Sequence, residues 1–418
     1  MEAHKSLTIG IFGFGVVGEG LYKVLNQTPS LKARIKKVCI KHPGKKRNAP
    51  AELFTTNKEE LLFDEEINVI VEVIDDPDAA FQIVSTALRN GKAVVSASKK
   101  MIADHLTEIL QLQQETGLSF LYEAAACASI PVIRNLEEYY DNDLLHSIKG
   151  IINGSTNFIL SKMFEDRLDF NQALMLAQQL GFAESNPALD VEGCDAVNKW
   201  SILLNHAYGI VEHPDNILFS GIQNIQLSDA MVAREKQVDI KLVAQAKKLK
   251  NGKVAAFVLP QFIKHDDPLA FVKYQYNGVV IESGFADKQF FYGKGAGSFP
   301  TASAVLSDLS ALRYDYKYEY KKLYHHKPNE LTNDFYIKVY VSFEEWAYIP
   351  KEKFEWIEEW HAEAQRKYLV GVLHVSELMQ NNWWKDNKTS LILASDPIIE
   401  DFDVIKLKKR SLELAGII

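Results

Sequence analysis

The chain has 418 residues, of which 47% are hydrophobic and 24% charged, a balance typical of a globular protein of two or three domains. A formal net charge of −8 gives no broad basic surface, which argues against a nucleic-acid partner. An apolar run starts too near the N-terminus for a signal peptide, and no apolar stretch reaches the roughly 18 residues of a membrane span. We therefore expect a cytoplasmic protein with no membrane partner. Its three scattered cysteines predict reduced thiols.

Short β-branched apolar runs alternate with amphipathic stretches in the N-terminal third. The runs are residues 7–12, 35–40, 69–74, 93–96 and 118–122, and the amphipathic stretches are 17–25, 79–88 and 106–114. This alternation is typical of repeated strand-helix-strand units. It predicts an α/β domain with a doubly wound parallel sheet of the Rossmann type over 1–130, to which 301–315 return.

The pattern changes after Ser147. A strand at 148–152, helices at 155–165, 171–180 and 191–207, and strands at 254–260 and 271–280 predict a second, α+β domain over 131–312. Strands at 335–343, 368–375 and 390–394, with a tryptophan-rich helical stretch between them, predict a small C-terminal α+β domain over 320–418.

A glycine motif follows the first predicted strand directly and opens the first predicted helix. Its residues are Gly13, Phe14, Gly15, Val16, Val17 and Gly18. The first glycine permits a tight turn, the second lets the backbone approach a pyrophosphate, and the third lets helix and strand pack closely. The helix N-terminus presents free N–H groups and partial positive charge to the phosphates. The motif predicts a dinucleotide site.

The end of the second predicted strand bears on which dinucleotide is bound. An acid there would bind the ribose 2′-hydroxyl of NAD, but the sequence has cations from Lys41 to Arg47. Cations suit a 2′-phosphate, so this loop favours NADP(H) over NAD(H). A solvated basic loop with no ligand is the alternative.

Hydride transfer to a carbonyl requires a proton donor or a cation at the oxygen. Asp195 and Lys199 are spaced i,i+4 on a predicted helix that is apolar around most of its circumference. Lys199 is therefore a candidate donor, with a surface ion pair as the alternative. Asp190 is predicted to cap this helix at its N-terminus.

Four stretches in order resemble the homoserine dehydrogenase family. Residues 183–199 resemble its substrate-site signature, 150–160 the strand-turn-helix that opens its substrate domain, 91–99 its lysine-bearing strand end, and 295–304 its glycine-rich return to the cofactor. The resemblance spans roughly 9–312. It implies NAD(P)H-dependent, reversible reduction of L-aspartate 4-semialdehyde to L-homoserine, a step in threonine, methionine and isoleucine biosynthesis.

The resemblance also implies roles for individual residues. Lys199 and Lys99 would converge on the reacting carbonyl, and Asp195 would orient Lys199 and the substrate. The implied substrate contacts are Glu184, Asp190, Gly154 and Ser155, and the further cofactor contacts are Lys41, Ser96, Ser98 and Gly297. Family members form homodimers through the second domain, so a substrate-binding and dimerisation role is expected for 131–312.

This chain departs from the family at several functional positions. The family's glutamate-bearing hairpin holds a monovalent cation, and here Glu123 with the carbonyls of Ala126, Ala128 and Ile130 would form the corresponding sodium-like site. The hairpin glycines are replaced at 127–129, where a positive φ would strain any residue with a Cβ. Ser98 replaces the usual asparagine, and acids at 75–76 replace small residues; Asp76 is predicted to cap a helix.

Many family members carry a C-terminal ACT regulatory domain. Here the glycine expected after the first strand of that domain is absent at 341–346, so an ACT-like fold is expected without an inferred effector. The tryptophans at 356, 360, 383 and 384 would pack in the core or against another subunit.

Two further functions stay open from sequence alone. The first is another Rossmann oxidoreductase acting on an amino acid, which the glycine motif permits but which does not explain the 184–199 segment. The second is a catalytically silent, nucleotide-binding relative with a regulatory role, indicated by Ser98, the acids at 75–76 and the lost hairpin glycines. The retained Lys99, Asp195 and Lys199 argue against it.

Overall fold

The protein is represented by a computed structural model that describes residues 5–142, 144–363 and 366–400. The chain divides into two compact units. The first unit comprises the described part of 1–143 together with 198–214 and 291–328. The second unit comprises 144–197, 215–290 and the described part of 329–418.

The first unit is built on a parallel sheet with strand order β3-β2-β1-β4-β5-β6. The strands are β1 (Leu7–Phe12), β2 (Ala33–Cys39), β3 (Phe54–Thr55), β4 (Val69–Glu72), β5 (Ala93–Ser96) and β6 (Phe120–Leu121). The strand order reverses at β1, and ligands of such sheets bind beyond the carboxyl ends of the strands at that point. The predicted Rossmann-type sheet is confirmed.

The second unit contains a mixed, mainly antiparallel sheet with strand order β12-β11-β7-β9-β10-β16-β13-β15-β14, and β8 pairs with β10. These strands are β7 (Leu145–Ile151), β8 (Leu218–Phe219), β9 (Val238–Lys248), β10 (Val254–Lys264), β11 (Tyr276–Ser283), β12 (Asp287–Lys294), β13 (Tyr336–Phe343), β14 (Trp356–Glu363), β15 (Arg366–His374) and β16 (Thr389–Ile399). The C-terminal strands join this sheet where Gln261 of β10 pairs with Leu393 of β16.

The helices occupy both units. In chain order they are α1 (Val16–Asn26), α2 (Glu59–Leu62), α3 (Pro77–Arg89), α4 (Lys99–Asp104), α5 (Leu106–Thr116), α6 (Ala124–Cys127), α7 (Val132–Arg134), α8 (Gly154–Asp166), α9 (Phe170–Gln179), α10 (Ala188–Val191), α11 (Cys194–Tyr208), α12 (Leu227–Glu235), α13 (Ser298–Leu312), α14 (Lys321–Tyr324) and α15 (Val375–Gln380). Asp76 caps α3 by accepting the N–H of Ala79 at 3.0 Å, as predicted. In the part of the chain that the structure describes, no helix has the length and apolarity to cross a bilayer.

The helix predicted at 191–207 is interrupted at Gly193, which has a φ of +87°. A Cβ at Gly193 would lie 2.9 Å from the carbonyl oxygen of Ser220, so packing as well as backbone conformation favours glycine. Asp190 lies inside the short helix α10, and the prediction that it caps a longer helix is wrong.

The tryptophan-rich stretch predicted as helical contains strand β14, which pairs antiparallel with β15. This prediction is wrong because cross-strand pairing, such as Trp356 with Val372, overrides the local pattern. Trp356 and Trp384 are buried, whereas Trp360 is 64% exposed. The sequence pattern also missed β9, and it placed β11 too early: a 3₁₀ helix, Pro268–Phe271, precedes that strand.

Candidate active site

The glycine motif forms the turn between β1 and α1. A Cβ at Gly18 would lie 2.3 Å from the carbonyl oxygen of Gly13, so only glycine permits this close packing of helix and strand. Gly15 precedes α1 and is exposed, with open space around its Cα. Phe14 is buried and packs edge-on against Phe54 at 5.0 Å between ring centroids. The turn thus exposes backbone at the helix N-terminus, where a phosphate binds best.

Gly297 lies beside this turn, as the predicted return to the cofactor requires. It precedes α13 with a φ of +120°, and the hydroxyl of Ser298 donates to the carbonyl oxygen of Val16 at 2.8 Å. Helices α1 and α13 pack against each other in the first unit. The structure therefore brings Gly297 together with the glycine motif.

The basic loop after β2 lines a cleft of about 470 Å³ that includes Lys45, Arg47 and Phe54. The guanidinium of Arg47 donates to the carbonyl oxygens of Lys45 at 2.6 Å and His42 at 2.7 Å, and lies 5.4 Å from the Phe54 ring centroid. Arg47 therefore shapes the loop. Lys41, the predicted cofactor contact, is exposed.

Ser96 and Ser98 are brought together at the end of β5. The hydroxyl of Ser96 donates to Glu72 Oε2 at 2.6 Å and accepts the N–H of Ser98 at 3.0 Å. Burial raises the pKa of Glu72 to about 7, against the opposing hydrogen bonds from Ser96 and the N–H of Ile74. Sequence analysis missed Glu72, although a single acid in an otherwise apolar strand was a visible signal.

The two lysines predicted to be catalytic both belong to the first unit. Lys99 is half-buried and begins α4 directly after Ser98, and Lys199 is 9% exposed in α11. Asp195 lies one turn before Lys199 on α11 and is 7% exposed. A lysine and an acid this well buried differ from a solvated surface pair. Convergence of the two lysines on a substrate stays a prediction.

Glu123, the predicted cation ligand, is buried and engaged by the backbone. Its carboxylate accepts the N–H groups of Ile133 at 2.8 Å and Arg134 at 3.0 Å. Its own N–H donates to Asp308, which also accepts from Arg134 at 3.1 Å. Burial and the nearby Asp308 raise the pKa of Glu123 to about 7. Ala128 has a φ of +46°, the strained conformation that the replaced glycines predicted.

In the second unit, one asparagine joins two of the predicted site acids. Asn153 Nδ2 donates to Asp190 Oδ1 at 2.7 Å and to Asp195 Oδ2 at 2.9 Å. Gly154 follows directly as the first residue of α8. Sequence analysis named the stretch containing Asn153 but gave this residue no role, although its place between a strand and a helix is a typical N-cap position.

The other two predicted substrate contacts in the second unit are arranged differently. The hydroxyl of Ser155 donates to the carbonyl oxygen of Phe182 at 2.7 Å. Glu184 is exposed, and its carbonyl oxygen accepts from Gln178 at 3.0 Å. Ser155 therefore ties α8 to the segment that leads to Glu184.

Comparisons with known proteins show to which family the chain belongs. The family model described as homoserine dehydrogenase matches residues 131–310, and the one described as homoserine dehydrogenase, NAD binding domain, matches 13–123. The homoserine dehydrogenase of Lactococcus lactis is 35% identical over 315 residues, covering 73% of both chains. That of Helicobacter pylori is 37% identical over 312 residues, again covering 73% of both. The chain belongs to the homoserine dehydrogenase family.

Solved structures of the family extend the similarity beyond the sequence matches. A homoserine dehydrogenase from Thiobacillus denitrificans has a TM-score of 0.82 at 26% identity, covering 94% of this chain and 99% of that one. A hyperthermophilic archaeal homoserine dehydrogenase mutant in complex with NADPH has a TM-score of 0.63 at 26% identity, covering 75% of this chain and 100% of that one. The first match covers more of this chain than the second match or the sequence matches do.

Proposed function

We propose that this chain reduces L-aspartate 4-semialdehyde to L-homoserine, reversibly, with NADP(H) as the preferred cofactor. The proposal depends on one observation: Asn153 hydrogen-bonds both Asp190 and Asp195. Asp195 lies one helical turn before Lys199 on α11. Asp195 and Lys199 are buried and Asp190 is half-buried, and a purely structural helix would not need this group of charged side chains. The glycine motif alone would fit many oxidoreductases, but the acid pair fits an amino-acid substrate with a cationic ammonium group.

The residues present fit a nicotinamide dinucleotide. The exposed Gly15 backbone and the α1 N-terminus suit a pyrophosphate, and Gly297 lies beside them. The bound cofactor supplies the hydride that the semialdehyde carbonyl carbon accepts. Lys41 and Lys45 are exposed on the loop after β2, and their charges suit a ribose 2′-phosphate, which is why we favour NADP(H) and leave NAD(H) as the second choice.

Each remaining site residue has a role that its chemistry suits. Lys199 and Lys99 would stabilise or protonate the oxygen of the reacting carbonyl. Asp195 would orient the substrate and Lys199. Glu184 would hold the substrate ammonium group, and Asp190 would hydrogen-bond within the same pocket. Gly154 and Ser155 would contribute substrate contacts from the start of α8. A Cβ at Gly154 would lie 2.7 Å from the carbonyl oxygen of Gln275, so the close packing at this turn favours glycine.

The remaining expectations from the family stay predictions. They are a place in threonine, methionine and isoleucine biosynthesis, a cytoplasmic location, and a homodimer formed through the second domain. A monovalent cation at Glu123, Ala126, Ala128 and Ile130 is also a prediction. The Glu123 carboxylate accepts two backbone N–H groups, and the Ile130 carbonyl accepts the N–H of Val132 at 2.9 Å. Both groups therefore already have protein partners.

The direct test is NADPH oxidation at the nicotinamide absorbance band with purified protein and aspartate semialdehyde. We expect turnover in the wild type and a loss of roughly 100- to 10,000-fold in kcat for Lys199→Ala and Lys99→Ala. Lys100→Ala is the matched control, because Lys100 is exposed, adjacent to Lys99 and paired with Asp104. Absence of wild-type turnover with measurable NADPH binding would instead support a catalytically silent relative.

Cofactor preference is tested by comparing kcat/KM with NADPH and NADH. We expect Lys45→Ala to lower kcat/KM with NADPH roughly tenfold while leaving that with NADH nearly unchanged, because only NADPH carries the 2′-phosphate. Lys58→Ala, another exposed lysine of the first unit, serves as the control. Equal loss with both cofactors would contradict a 2′-phosphate contact.

A further inference from the structure

Asn153 uses both ends of its side-chain amide, and each end serves different partners. Oδ1 accepts the backbone N–H of Thr156 at 2.8 Å, while Nδ2 donates to Asp190 Oδ1 at 2.7 Å and Asp195 Oδ2 at 2.9 Å. An asparagine amide carries two N–H donors, so each aspartate receives one of them. Asn153 has 4% of its surface exposed, and its bonds to Asp195 and Thr156 are buried, whereas the bond to the half-buried Asp190 lies nearer the surface.

The orientation of this amide is fixed by its partners. Rotating it by half a turn would place Oδ1 against two carboxylates and Nδ2 against the N–H of Thr156, so all three bonds would be lost. The Thr156 hydroxyl lies 3.0 Å from Asn153 Oδ1 and 3.1 Å from the Asn153 carbonyl oxygen, and because a hydroxyl can donate or accept, it does not decide the orientation of the amide. Asn153 is therefore a rigid donor pair at the start of α8.

The two aspartates are not positioned relative to each other by a single helix. Asp190 lies in α10 and Asp195 in the first turn of α11, with the left-handed Gly193 between them. Asn153 follows β7, which is paired on one side with β9 and on the other with β11. The amide therefore links two short, separately oriented helical segments to a strand inside the sheet of the second unit.

We infer that Asn153 is a positioning residue that sets the separation and direction of the Asp190 and Asp195 carboxylates for catalysis. The inference rests on the proposed function, in which these aspartates serve the substrate and Lys199. Two neighbouring negative charges repel each other, and the donor pair of Asn153 offsets this repulsion while fixing one oxygen of each carboxylate. A misplacement of about 1 Å in such a group costs on the order of 100-fold in rate.

Two substitutions separate this role from helix capping. Asn153→Ser keeps an N-cap oxygen for Thr156 but removes both donors to the aspartates. Asn153→Asp also keeps the cap, and it places a third carboxylate against the other two. Thr156→Val is the matched control, because it removes the hydroxyl bond to Asn153 and leaves both Nδ2 bonds in place.

The kinetic experiment measures kcat and KM for aspartate semialdehyde and for NADPH in these variants. We expect kcat/KM for the semialdehyde to fall about 100-fold in Asn153→Ser and further in Asn153→Asp, with Thr156→Val within about threefold of wild type. KM for NADPH should stay within about twofold of wild type. In a cycle with Asp195→Asn, the combined loss should be well below the product of the two single losses, because both changes remove the same interaction.

Crystal structures of the wild type and Asn153→Ser provide a readout that does not depend on turnover. We expect the two carboxylates to shift by about 1 Å in the variant, and this comparison distinguishes failure of the inference from failure of the proposed function. Carboxylates that stay in place, multiplicative losses in the cycle, or wild-type kcat/KM in Asn153→Ser would overturn the positioning role. If Asn153→Ser does not fold, the same measurements on Asn153→Asp, which also retains a good N-cap side chain, test the positioning role.

Discussion

Two groups of acids, one in each unit, are held in different ways. In the first unit, Glu72, Glu123 and Asp308 are almost fully buried, and burial raises their pKa values to about 7, about 7 and about 6. In the second unit, Asp190 and Asp195 are joined through the side-chain amide of Asn153. The acids of the first unit are bound largely by backbone N–H groups, and the bond from Glu123 to Asp308 joins segments distant in sequence. Asp190 and Asp195 instead share one partner, which sets the direction of both carboxylates.

This difference separates two consequences of substitution. Glu123 donates its N–H to Asp308 across 185 residues of sequence, so this contact joins two segments of the first unit that are far apart in the chain. We expect changes in that group to alter stability and its pH dependence. Changes at Asn153 that keep its N-cap to Thr156 should alter turnover first, because they change mainly the direction of the two carboxylates. A buried acid with a raised pKa is thus not by itself a mark of catalysis.

The largest effect on stability is expected from Arg134→Met. Asp308 has no exposed surface, and it would be left without its guanidinium partner, which lies 3.1 Å away. Breaking a buried ion pair from one side costs about 3 to 5 kcal/mol, measured as the free energy of unfolding in a denaturant titration. Arg34→Met is the control, because Arg34 and its partner Glu66 are both more than 60% exposed, and it should cost less than about 1 kcal/mol. Equal costs would remove the distinction between the buried and surface pairs.

A smaller, pH-dependent effect is expected from Glu72→Gln. The folded-state pKa of Glu72 is raised to about 7 from 4.5, so between these pH values the folded state binds more protons and wild-type stability falls as pH rises. The variant lacks this loss, so the difference in unfolding free energy between variant and wild type should shift in favour of the variant from pH 4.5 to 7, by at most about 3 kcal/mol. Thermal unfolding midpoints over this pH range measure the difference.

Glu66→Gln provides the control with the opposite sign. Hydrogen bonds from Lys36 and, to a lesser degree, from Arg34 lower the pKa of Glu66. Its contribution to folding stability is therefore fully present above the ordinary pKa of 4.5 and is lost only as the pH falls below that value. Its difference from wild type should stay flat between pH 4.5 and 7. A slope in this control matching that of Glu72→Gln would show that burial does not cause the effect.

The smallest effect is expected at the turn after Glu123. Ala128 has a φ of +46°, where a Cβ is strained, so Ala128→Gly should raise the unfolding free energy by about 1 kcal/mol. Ala126→Gly, inside the nearby helix α6, should lower it by about 1 kcal/mol, because glycine is the poorer helix former. The two changes have the same chemistry, so opposite signs in a denaturant titration would isolate the backbone strain at residue 128.

Several elements were predictable because their causes are local. The β-branched runs indicated the strands of the first sheet, and the glycine motif indicated the turn between β1 and α1. The capping role of Asp76 was also correct, since an N-cap depends only on the next three residues. The family resemblance added Asp190 and Asp195, and the structure brings these two together through Asn153.

The failures also share a physical cause. Strand β14 was taken as helical, and β9 was missed, because pairing with a distant strand decides such segments more than their own pattern does. Gly193 was read as part of a helix, since nothing in its neighbourhood showed the close approach of the Ser220 carbonyl.

What the sequence by itself determined is the set of short-range features: a phosphate-binding turn, helix starts, and the types of residue that an amino-acid dehydrogenase needs. The tertiary structure decided which of these residues meet. Glu72 with Ser96, Glu123 with Asp308, and Asn153 with two aspartates are pairs separated by 24 to 185 residues. Such contacts depend on how the whole chain closes its loops and buries its polar groups, and no local pattern encodes that outcome.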